Sequence, residues 1–198
     1  MKTNLVLALI AVPTLFMSTQ LSAALVTING DTMTLVGTTN TTSNIGNSSQ
    51  FEDEFGIAGM QMYYKSDHVE GQASGSDSGT FASSYDTMFS PISDPTDATI
   101  SWVPNSDWIV CPDCYLLVKD GAATPAQYLF DLANWNGQNT ISLTGFWDGV
   151  NGAISNVAIW GARAPSTVPE PATLGLLGIG LLGLGLAATR RRDRNDSA

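Results

Sequence analysis

The chain has 198 residues, 43% of them hydrophobic and 13% charged, with a formal net charge of -10. Between residues 24 and 168 only Lys65, Lys119 and Arg163 are positive, against fifteen carboxylates. That balance excludes nucleic acid and anionic lipid headgroups as partners of this part, because nothing there could neutralise phosphates.

Residues 1–24 read as a signal peptide. Lys2 supplies a positive start, residues 5–16 form an apolar stretch containing Pro13, and Ser22, Ala23 and Ala24 suit the pocket of a signal peptidase. Cleavage after Ala23 and after Ala24 are both acceptable. Residues 25–162 then make up one domain's length, enough for a core of two packed layers.

Residues 25–36 place Val26, Ile28, Met33, Leu35 and Val36 around Asn29-Gly30-Asp31. Such a turn signal predicts an opening hairpin or two short strands. Residues 37–50 hold almost no apolar group and predict a long surface loop. From Phe51 onward core material returns. A helix is possible over the first few residues, Gly56 and Gly59 keep it short, and Tyr63 and Tyr64 favour a strand over residues 59–65. Residues 66–84 are polar and predict a second loop. Residues 85–97, with Pro91 and Pro95, predict an irregular crossing segment.

The second half is more regular. Short strands are predicted over residues 99–103, 107–110, 115–119, 127–132, 141–147 and 153–160. Alternation is clearest in Tyr128, Phe130 and Leu132 and in Ile141, Leu143, Gly145 and Trp147. Asp120-Gly121, Asn136-Gly137, Asp148-Gly149 and Asn151-Gly152 punctuate them. The fold expected from this rhythm is all-β, an antiparallel β-sandwich of jelly-roll or lectin-like type with long polar loops.

Candidate chemistry is sparse. Cys111-Pro-Asp-Cys114 lies between apolar extended stretches, which suits a short-range disulfide formed on an oxidising export route. A redox pair would open a helix, and zinc would want further soft ligands where the chain has only His68. That histidine reads as an exposed loop residue. No catalytic residue is assigned: there is no phosphate loop or nucleophile elbow, and carboxylates that meet from distant strands cannot be picked out by proximity. Trp135, between Asn134 and Asn136 in an expected loop, is the candidate sugar-stacking platform. Its alternative is a cap on one end of the domain. No cofactor is implied beyond calcium, for which Asp94 and Asp97, or Asp148 with Asn151, offer turn oxygens without EF-hand spacing.

Residues 163–171 break from the domain as a proline-rich linker. Residues 172–189 carry no charge and are rich in leucine and glycine. As a helix they would reach roughly 27 Å, enough for a transmembrane helix. Arg190, Arg191, Arg192 and Arg194 follow as a basic stop in a cytoplasmic tail, residues 190–198, which would leave the domain in the periplasm. The sequence Val168-Pro169-Glu170-Pro171, the apolar span and the arginine cluster together resemble the PEP-CTERM sorting domain. That resemblance implies an exosortase as partner, processing near Pro169-Glu170-Pro171, and a Gram-negative source that makes exopolysaccharide. The protein would be transiently anchored by its C-terminal helix and finally reach the cell surface or extracellular matrix. Three function classes follow in order: a non-catalytic structural or adhesive protein of exopolysaccharide and biofilm, a carbohydrate-binding module, and a glycan-active enzyme.

Overall fold

A computed structural model describes residues 24–110, 112–148 and 152–162. The chain opens with β1 (Leu25–Ile28), β2 (Asp31–Thr32) and β3 (Thr34–Thr39). Asn29 and Gly30 both take positive φ, 53° and 89°, which is what a two-residue hairpin turn of the favoured twist needs. Helix α1 (Ser48–Phe55) follows, then β4 (Met60–Asp67), β5 (Ser76–Ser78) and β6 (Tyr85–Ser90). The remaining strands are β7 (Asp97–Trp102), β8 (Cys114–Lys119), β9 (Gln127–Asp131), β10 (Ile141–Thr144) and β11 (Asn156–Ala162).

Every strand pairing is antiparallel. One sheet has the order β2-β1-β10-β7-β6 and the other β3-β9-β8-β11-β4-β5. Val26, Ile28, Tyr85, Phe89, Ile100, Ile141 and Leu143 of the first meet Tyr64, Leu116, Val118, Phe130, Val157 and Ile159 of the second in one apolar core. The first sheet alternates cleanly: in β6, Tyr85, Thr87 and Phe89 are buried while Asp86, Met88 and Ser90 face solvent. The second sheet is covered on both faces. Its outer side packs Leu117, Leu129, Ala158 and Trp160 against Phe51 of α1 and Ile45 of the preceding loop. That second core explains why residues 156–161 of β11 are all buried.

The expected jelly-roll or lectin-like sandwich is corrected. The sheets stay open, because β2, β6, β3 and β5 each have a ladder partner on one side only. The chain changes sheets within one residue, at Met33, so β3 leaves its hairpin neighbours and pairs with β9. Residues 85–90, expected to be irregular, form β6, and residues 107–110, expected as a strand, have no ladder partner. The transmembrane helix is corrected too: among the described residues no helix is long and apolar enough to cross a membrane. Residues 172–189 and the arginine stop lie outside the described residues, so the membrane anchor and the anchored, periplasmic location built on it are not retained. The signal peptide also lies outside them. Cys114 is buried at the head of β8, and no cysteine among the described residues is free. The expected bridge to Cys111 reaches a residue outside the described ones.

Candidate functional site

Two loops meet at one end of the domain. The β1–β2 hairpin presents Asn29 and Asp31, Met33 follows β2, and the loop from β9 to β10 presents Ala133, Asn134, Trp135 and Asn139. Between them lies a cleft of about 300 Å³ that also takes Asp131 at the end of β9. Asp131 Oδ1 accepts from Ala133 N at 2.8 Å, and Asn134 takes φ 68°, so the chain turns sharply just before the tryptophan. Two of the three residues singled out for sugar binding, Trp135 and Asn134, therefore share one cleft. Asn136 does not join them. Its Oδ1 accepts from Gln138 N at 3.0 Å and Asn139 N at 2.9 Å, which shapes the loop from within.

Trp135 is not a free platform. It is 8% exposed, its ring lies 5.8 Å from that of Tyr85, and its Nε1 donates to Asn139 O at 2.7 Å. The indole belongs to the inner core and offers only a margin to the cleft. Sequence reasoning placed it in a loop correctly but had no means of seeing Tyr85 behind it.

A second aromatic group at this end was not singled out from sequence. Trp102 and Trp108 stand edge to face with centroids 6.3 Å apart and planes at 86°. Ile109 is buried while Trp108, 44% exposed, and Val110, 74% exposed, point outward. The Trp-Ile-Val alternation was the available signal. It predicts a strand because half-buried extended chain looks alike with or without a ladder partner.

The calcium candidates are Asp94, Asp97, Asp148 and Asn151. Asp97 Oδ1 accepts from Gly145 N at 2.9 Å, Asp94 and Asp148 are exposed, and Asn151 lies outside the described residues. Among the described residues no three His, Cys, Asp or Glu side chains could together hold a metal ion. His68 is half-buried, not an exposed loop residue. Its ring packs on Phe89 at 5.4 Å, and Nε2 is 3.0 Å from Ile92 O, which makes that nitrogen the donor.

Electrostatics separate the two sheets. The described cations, Lys65 and Lys119, lie on β4 and β8 of the six-stranded sheet, where Lys65 pairs with Asp67. Burial pushes the Lys119 ammonium below its usual range, only partly countered by Asp120. A further cleft of about 380 Å³ lies beside the start of α1, between Asn47, Met60, Met62 and Trp160. The Trp160 Nε1 is buried without a hydrogen-bond partner among the described residues.

The PEP-CTERM protein-sorting motif matches residues 167–192. No curated protein and no solved structure matches the chain. The match spans Val168, Pro169, Glu170, Pro171, Arg190, Arg191 and Arg192, leaving Arg194 just beyond it, and all of these lie outside the described residues. A PEP-CTERM sorting motif is present near the C-terminus of this chain, and it matches the exosortase substrate family.

Proposed function

We propose that this protein is exported by signal peptidase cleavage, handled by an exosortase, and serves a non-catalytic structural or adhesive role in an exopolysaccharide matrix. The observation that carries this reading is the sorting motif over residues 167–192. A motif of this kind acts on where a protein is delivered, so its test is delivery. Replacing Pro169, Glu170 and Pro171 together by alanine leaves every described strand untouched. Surface labelling of intact cells should then report much less domain on the variant than on the wild type. Equal labelling of the two would sink the reading.

The second reading is carbohydrate binding by the end that carries Asn29, Asp31, Asp131, Asn134 and Trp135. Its support is the shape and chemistry of the cleft, a concave site with the margin of one indole and several convergent amides and carboxylates. Such groups bond sugar hydroxyls as both donors and acceptors.

A further inference from the structure

We infer that the corner formed by exposed Trp108 and half-buried Trp102, a surface separate from the cleft at Trp135, is a stacking platform for an uncharged polysaccharide. The inference rests on the carbohydrate-binding reading above and moves it to a different surface.

Single exposed apolar side chains are ordinary and need no explanation. This group differs in being contiguous and held in place. Trp108 and Val110 project from one loop with Trp102 set perpendicular to Trp108 at 6.3 Å. The loop between them is anchored from behind. Ile109 is buried, and its N–H donates to the Tyr85 hydroxyl at 2.8 Å. That hydroxyl in turn donates to Gly137 O at 2.7 Å. Gly137 admits the segment because it has no side chain: a Cβ there would stand 2.2 Å from Ile109 O and 2.7 Å from Trp108 Cδ1. An exposed indole whose backbone is fixed this way loses little further entropy on binding.

The surroundings select the ligand. Asp107 is exposed and its backbone oxygen accepts from Trp102 Nε1 at 3.4 Å, while Asn105 is exposed in the same loop; neither side chain makes a hydrogen bond among the described residues, so both are available to hydroxyl groups. Asp107 puts negative charge at the corner, and the described lysines lie on the other sheet. A uronate- or phosphate-bearing polymer would meet like charge with no counter-ion from the protein. A neutral sugar presents a face of C–H groups to an indole and a rim of hydroxyls to Asn105 and Asp107, which fits both features.

Native affinity electrophoresis of the full chain tests this, with hydroxyethylcellulose and dextran as neutral probes and alginate as the anionic one. The wild type should be retarded by at least one neutral polymer and not by alginate. Trp108→Ala should weaken that retardation about tenfold, Trp108→Phe should keep part of it, and Ile92→Ala, an exposed apolar residue beyond the opposite end of the β6–β7 pair, should leave it unchanged. Circular dichroism melting checks that each variant is folded. If Trp108→Ala were destabilised, Asp107→Ala, which removes only an exposed carboxylate, should still weaken retardation. Wild-type retardation lost in Asn134→Gly but kept in Trp108→Ala would put binding in the cleft and overturn the inference. So would retardation by alginate, or none by either neutral polymer. Sorting is read by surface labelling and depends on residues 169–171, so either idea can fail while the other stands.

Discussion

Asp120 shows how one carboxylate can organise a loop. It is buried in the turn after β8, where Oδ1 accepts from Ala122 N at 2.8 Å and Oδ2 accepts from Ala153 N at 2.7 Å. The first bond closes the local turn. The second reaches across to the segment that leads into β11, so the side chain joins two connections more than thirty residues apart. Removing it leaves two backbone N–H groups without their acceptor. Asp120→Ala should therefore cost about 1–3 kcal/mol, chiefly for the part-buried Ala153 donor because exposed Ala122 can turn to water, with Asp120→Asn milder because one oxygen remains. Urea unfolding checks this. A midpoint unchanged from wild type in Asp120→Ala would show that water replaces the carboxylate. The sequence marked Asp120-Gly121 as a turn. The distant bond to Ala153 was invisible in it, because nothing local encodes which backbone group a carboxylate will meet.

At the scale of elements, α1 starts three residues before the short helix that the sequence allows from Phe51 onward. Residues 37–50 looked like loop throughout, yet Ser48–Phe55 is helical. Its ends explain why eight residues suffice. Asn47 caps the start, accepting from Gln50 N at 3.0 Å, while the Gln50 side chain accepts from Gly46 N at 2.9 Å. Gly56 ends it at φ 71°, a left-handed conformation natural to glycine. Packing does the rest: Phe51 lies 4.7 Å from Trp160 and 5.3 Å from Phe55. Glu54 accepts from the Thr39 and Thr41 hydroxyls, which holds its carboxyl below the usual range and ties the helix to β3. A helix this short is marginal alone, so capping and tertiary contacts share its stability. Asn47→Ala should cost about 1 kcal/mol. Phe51→Ala, which opens the outer core, should cost about 3–5 kcal/mol. Thermal melts of the two variants should rank them in that order, and the reverse order would mean the cap rather than the packing holds α1 in place.

Across the whole molecule, two tyrosines tie the sheets together. Tyr64 on β4 donates to Asp77 Oδ1 at 2.7 Å, which leaves the Thr87 hydroxyl on β6 to donate to Tyr64, also at 2.7 Å. Tyr85 on β6 bonds Ile109 and Gly137 as described, and the two rings lie 5.4 Å apart. Burial pushes the Tyr85 phenol up from 10.0 to about 12, and burial raises Tyr64 further. The unfolded chain therefore loses these protons first. Stability from this source is complete below pH 10, declines as pH climbs towards 12, and is lost above the folded values. The urea midpoint should fall steadily over that window, and the part of the tyrosinate absorbance lost in the Tyr85→Phe variant should appear in the wild type only as the protein unfolds. Full ionisation of all tyrosines in a folded protein near pH 10 would contradict it.

Sequence alone determined the features that are local and linear. The sorting motif is read residue by residue by another protein, so Pro169, Glu170, Pro171 and the arginines that follow needed no fold to be legible. Most strands of the second half were legible for a related reason, since alternation is a property of neighbours along the chain. Tertiary structure decided what depends on which segments meet. It placed β3 and β9 side by side, buried Trp135 behind Tyr85, and left Trp108 exposed on the anchor of Ile109. Burial is a relation between surfaces far apart in sequence, and for an aromatic ring that relation separates core from binding face.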